Sequence, residues 1–197
     1  MPQALSRQIK LLLVILLGYL CQVCVMPYFR VGSVTPSLII AVTAIVTVGY
    51  GLLRGLWTGM FYGIVMEIML PTVPILNLLF YPISALLCAV FFADRSEAQL
   101  QYARSIGKRG RNTSPLLRTV LCAMINCLIY DIVNLVYMYL SGAVLSAALI
   151  QRAMTDVLST TVLTAVIMIP VRKLLSFRKK EEAPVAELRF DNRPERD

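Results

Sequence analysis

The sequence predicts an all-α integral membrane protein of six transmembrane helices, with its N- and C-termini both cytoplasmic. Three observations carry this. The chain of 197 residues is 58% hydrophobic and only 15% charged, against about 25% charged in an ordinary soluble domain, and its mean hydropathy is +0.73. Its apolar residues fall into six runs separated at charges and prolines. With the N-terminus inside, all of the 19 Lys+Arg except Arg30 and Arg152 lie on the cytoplasmic side, as the positive-inside rule requires. Such a composition cannot enclose a core and still cover itself with polar surface. It excludes a soluble enzyme, a secreted disulfide scaffold and a disordered tail protein.

The elements follow in order. The first span runs over 11–29, preceded by Arg7 and Lys10. It is longer than a signal-peptide core and no small-x-small cleavage site follows it. The second runs over 35–53, opened by Pro36. The third, 55–70, is bounded by Arg54 and Pro71. At 1.5 Å rise per residue it covers only about 24 Å of a hydrocarbon layer about 30 Å thick, so neighbours should protect it. The fourth runs over 74–93. A basic cytoplasmic loop, 94–114, separates it from the fifth, 115–140, and the sixth covers 149–170. Residues 1–171 thus form one membrane domain. Residues 172–197 form a charged tail that composition marks as disordered.

Polar chemistry enters the membrane at few places. Gly51, Gly55, Gly59 and Gly63 recur every fourth residue, with Glu67 the next step. On a helix this spacing makes Gly55, Gly59 and Gly63 a small-residue groove that another helix can approach closely, within the chain or from a partner. Glu67 and Asp131 are ionisable groups inside spans, which face a bundle interior, a cavity or a partner. Asn126, Tyr130, Asn134 and Tyr137 make a polar stripe beside Asp131. Glu67 and Asp131 are expected in a polar interior, satisfied by Asn126, Asn134, Tyr130 or water. Asp156, at the outer end of the sixth span, reads first as an interfacial residue, snorkelling or paired with Arg152 four residues before it. At the other end, Arg172, Lys173, Arg178, Lys179 and Lys180 form a basic segment suited to an anionic leaflet.

The chain has no His, which removes the usual general base and zinc ligand. Its five Cys are odd in number and lie in apolar runs, so they read as small buried residues. That includes Cys21 and Cys24, despite their CxxC spacing. No catalytic set, cofactor loop or metal box is visible. The +8 charge is spent on topology and gives no reason to expect nucleic acid.

The stretch 36–92 resembles the MreD family, the membrane subunit of the bacterial rod shape-determining machinery. The shared features are a proline before the second span and a short glycine-patterned third span (Gly55, Gly59, Met60-Phe61, Gly63). An acid follows, here Glu67 where that family usually has Asp. Tyr130-Asp131-Ile132-Val133 is similar to the family's acid-centred fifth span, and Pro170-Val171-Arg172-Lys173-Leu174 to its basic finish. The likeness covers about 8–175. Pro71, Pro74, the longer basic loop and the charged tail depart from it. It implies a non-enzymatic, multi-pass scaffold of the plasma membrane with a part in cell shape and peptidoglycan synthesis. Its expected partners are the bitopic scaffold MreC and, directly or not, RodA, the elongation transpeptidase and MreB, the elongasome. It also implies a fold similar to the S components of energy-coupling-factor vitamin transporters, the alternative function. Those carry an Ala-x-x-x-Ala docking motif on the first span, where this chain has Gly18 and no alanine. The scaffold reading expects no small-molecule ligand.

Overall fold

The structure is a computed structural model that describes residues 2–69, 75–92, 114–144 and 146–175, with side chains from residue 8 onward. The described chain is helical: α1 Pro2–Cys24, α2 Leu38–Tyr50, α3 Leu52–Met69, α4 Leu76–Phe92, α5 Pro115–Leu140 and α6 Ala147–Leu174, with a 3-10 turn at Met26–Tyr28. Three stretches, Gln8–Tyr28, Pro115–Leu140 and Ala147–Leu174, are long and apolar enough to cross a membrane, and α2 and α4 are shorter apolar helices.

α2 is the axis of the bundle. It is apolar nearly all round, so it has no face to offer water, and every residue from Leu38 to Val48 is buried. α1, α3, α4, α5 and α6 all pack against it. Both its ends are fastened to α6. The Ser37 amide donates to Thr160 Oγ1 at 3.0 Å, and the Tyr50 hydroxyl donates to the Leu175 carbonyl at 3.3 Å. The two helices therefore run in the same direction. The N-terminal amides of α2 are satisfied one by one, as a helix end must be when water is excluded. Leu38 N donates to Gln22 Oε1 at 2.6 Å and Ile40 N to Ser37 Oγ at 3.4 Å.

α3 doubles back on α2 through Gly51, whose φ of 85° is open to glycine at no steric cost. Its glycine face is filled from within the chain. A Cβ at Gly55 would meet Thr47 of α2. One at Gly59 would lie 2.7 Å from the Tyr81 carbonyl oxygen, and one at Gly63 would lie 3.0 Å from the Asn77 carbonyl oxygen. The absence of side chains on α3 thus lets the α4 backbone approach it directly. Buried threonine hydroxyls on α2, α3, α5 and α6 donate to carbonyls four residues back, as at Thr43, Thr58, Thr119 and Thr164, which removes their desolvation cost.

Several element bounds differ from the apolar runs: α1 begins at Pro2 rather than 11, and α3 at Leu52 rather than 55. α2 is 13 residues long, because Ser37 caps it after Pro36 and Gly51 ends it. The enclosed helix is this one; α3, read as needing protection, buries only its Gly55, Thr58, Gly59, Tyr62 and Gly63 face and leaves Leu53, Trp57 and Ile68 exposed. α6 does not stop at Pro170. It passes through that proline to Leu174, so Arg172 and Lys173 form its last turn rather than the start of the tail. Basic groups there suit the negative end of the helix dipole. The basic loop over 94–113, the rest of the tail, and with them Arg178, Lys179 and Lys180, lie outside the described residues.

Candidate functional site: a carboxylate-lined cavity between α5 and α6

α5 and α6 lie side by side, joined by the turn through Ser141 and Gly142, and α2 supports both. Where they diverge toward that turn, a cavity of about 460 Å³ opens. α5 lines it with Tyr130, Asp131, Asn134 and Tyr137, and α6 with Leu149, Arg152, Ala153 and Asp156. The α1–α2 connection closes one side with Val34 and Thr35. That connection is held in place by reciprocal backbone hydrogen bonds between Val31 and Val34.

The spacing on each helix explains the lining. Tyr130, Asn134 and Tyr137 recur at four and three residues, and Arg152, Asp156 and Thr160 at four, so each set shares a face. Two such faces meet. A Cys127 Sγ, an Asp131 carboxylate oxygen and an Asp156 carboxylate oxygen come within 4.8 Å of one another. Asp156 is the better anchored of the acids. Its Oδ1 accepts from the Thr160 hydroxyl at 3.1 Å, and Thr160 Oγ1 in turn accepts the Ser37 amide. The N-terminus of α2, with its partial positive charge, is thereby tied to an acid of the cavity. Asp131 Oδ2 is buried and accepts no hydrogen bond. The Tyr130 ring stands on Phe80, with centroids 5.0 Å apart and planes at 62°, and beside Tyr81, which fixes that wall.

The remaining candidate residues lie elsewhere. Asn126 is on α5 but away from the cavity lining; it is buried, and its Oδ1 has no hydrogen-bond partner. Glu67 does not line this cavity. It closes the α3–α4 connection: its Oε1 accepts from the Ile75 amide at 2.6 Å and its Oε2 from the Asn77 amide at 3.2 Å. A carboxylate on the first amides of α4 is a charged helix cap. It also holds Ile75 at φ 68°, a conformation that costs a β-branched residue free energy. Gly55, Gly59 and Gly63 serve the packing of α3 on α2 and α4. All five cysteines are free thiols, Cys24 exposed and Cys88, Cys122 and Cys127 buried.

Sequence reasoning did not bring Arg152, Asp156 and Cys127 together with the Asp131 stripe. Asp156 reads as interfacial because Gln151 and Arg152 stand near it. The Arg152–Asp156–Thr160 period was the signal that this face of α6 is polar over two turns. Cys127 reads as an apolar residue, and only the crossing of the helices brings it to the acids.

Fold and site together define a class: a protein helical throughout its described elements, with three helices able to cross a membrane and a cavity carrying two acids and one arginine at one end of the bundle. Comparison with family models, with characterised proteins and with solved structures finds no match for the chain.

Proposed function

We propose that the chain is a non-enzymatic scaffold subunit of MreD type, set in the bacterial plasma membrane with six spans and both ends cytoplasmic, serving cell shape and peptidoglycan elongation. One observation supports this above the rest. The residues that carry the resemblance, Gly55, Gly59, Gly63 and Glu67, belong to a single structural device. Gly59 and Gly63 bring α4 onto α3, Gly55 seats α3 on Thr47 of α2, and Glu67 caps α4. In this reading α2, about 20 Å long, is too short to span alone and is sheathed by the other helices. Exposed apolar stripes on α1 (Leu12, Leu16, Leu20) and α6 (Leu158, Val162, Val166) face lipid or receive the transmembrane helix of an MreC-type partner. Arg172 and Lys173 meet the anionic cytoplasmic leaflet.

The test is affinity purification of the tagged full chain from its own membranes. The scaffold reading expects a bitopic MreC-type protein in stoichiometric amount. Recovery of an ATPase module instead would overturn it in favour of the second reading, an S component of a vitamin transporter. The cavity between α5 and α6 favours that second reading, since a small-molecule subunit needs such a site and a scaffold does not.

A further inference from the structure

The cavity between α5 and α6 has a charge pattern that selects a ligand class. A pocket of about 460 Å³ is in the size range of small organic ligands and far larger than a bare ion. Its inner part presents the carboxylates of Asp131 and Asp156, with ligand oxygens and the Cys127 sulfur within 4.8 Å of one another. Asp131 Oδ2 is buried and without a hydrogen bond, so the desolvation cost of this carboxylate is uncompensated. The Tyr130 and Tyr137 side chains line the same space, and tyrosine faces attract ammonium groups. One helical turn nearer the mouth stands Arg152, exposed, on the same face of α6 as Asp156. The rise between the two is about 6 Å. The cavity thus offers two carboxylates and, one helical turn away on the same face of α6, a cation.

We propose that this cavity binds a small zwitterion, its primary ammonium between Asp131 and Asp156 and its phosphate or carboxylate on Arg152. The phosphoethanolamine group has this chemistry. It can arrive as a soluble molecule or as the headgroup of a phospholipid, because the cavity lies beside the ends of two helices able to cross a membrane. The inference deepens the small-molecule reading and rests on it only in taking the cavity as a ligand site. It holds equally for a scaffold that carries a bound headgroup.

The experiment is thermal stabilisation of the purified full chain. In detergent the probes are glycerophosphoethanolamine, glycerol 3-phosphate, ethylamine, and zinc or manganese ion. In nanodiscs the comparison is phosphatidylethanolamine with phosphatidylglycerol alone as against the mixture of both. Glycerophosphoethanolamine should raise the melting temperature, and the two half-ligands should not at the same concentration. Asp131→Asn and Arg152→Gln should each weaken the apparent affinity about tenfold or more, the loss of one charged partner. Arg152 is exposed, so its variant keeps the test alive if Asp131→Asn fails to fold. A response to the soluble probe assigns a free zwitterion; a response only to phosphatidylethanolamine assigns the lipid. Either supports the proposal. Stabilisation by a divalent ion alone, an equal response in both variants, or no response to either source overturns it.

Discussion

Gly59→Ala is the sharpest perturbation of the fold. The added methyl would stand 2.7 Å from the Tyr81 carbonyl oxygen, 3.0 Å from its carbonyl carbon and 3.1 Å from Pro82 Cα. Heavy atoms in good contact sit at roughly 3.5–4.0 Å, so α3 and α4 must part by something under 1 Å. All three obstacles are backbone, and none can rotate away. Overpacking of this kind costs about 1–3 kcal/mol. Replacing a helical glycine by alanine returns about 1 kcal/mol of helix propensity. The net loss is then about 1 kcal/mol, or a melting temperature about 2–4 °C lower for a chain of this size. Gly59→Leu should fall much further and reduce the folded yield. Gly63→Ala, whose nearest atoms lie at 3.0 and 3.3 Å, should be close to neutral. The assay is thermal unfolding in detergent, read by the single tryptophan, Trp57, two residues from the substitution and exposed on α3. A Gly59→Ala protein as stable as the wild type, or more so, would refute the backbone-contact account of the glycine groove.

Other outcomes follow from single contacts. Glu67→Leu leaves the first amides of α4 uncapped and should cost about 1.5–3 kcal/mol, the range for hydrogen bonds to a charged group, whereas Glu67→Gln should cost less because an amide oxygen still accepts; parallel melts of the two variants decide it, and equal losses would point to a need for the charge itself. Tyr62→Phe removes the hydroxyl that donates to the Ile15 carbonyl at 2.9 Å and should cost about 1 kcal/mol, seen as a lower melting temperature with unchanged elution volume. Thr160→Val breaks the link from Asp156 to the Ser37 amide and should cost about 1–3 kcal/mol, since a buried donor loses its acceptor; hydrogen exchange should quicken at the start of α2 before it does at the middle of α5. Ile75→Gly relieves a left-handed β-branched residue and should raise stability by up to about 1 kcal/mol, in a melt that Glu67→Leu does not share.

The helices were legible where local chemistry governs. Ser114-Pro115 is a start signal with a capping hydroxyl and a proline at the first position, and α5 begins there; its apolar run coincides with the helix. The glycine period on α3 announced a close approach, because side-chain size is a local property. What approaches it was not legible, since the Tyr81 and Pro82 backbone carries no signature of its destination. Pro170 misled in the opposite direction. A proline removes one hydrogen bond from a helix but does not forbid the turn beyond it, and α6 continues to Leu174. Glu67 was read by its cost inside a span, and its purpose depended on a connection of unknown path. The cavity was half visible: the Asp131 stripe is a one-helix pattern, whereas Asp156 and Cys127 join it only through the crossing of α5 and α6.

Both ends of α2 are bonded to α6, across 123 and 125 residues of chain. That fact bears on how the protein is made. A 13-residue helix cannot hold a place in a bilayer by itself, and the group that satisfies its Ser37 amide is synthesised more than a hundred residues later. The second helix therefore gains its full set of partners only once the last has been made. A ribosome stalled before α6, or a truncation that removes it, releases a chain whose centre is unfinished rather than one lacking a peripheral helix. Loss of the final helix should therefore be measured as loss of the folded protein.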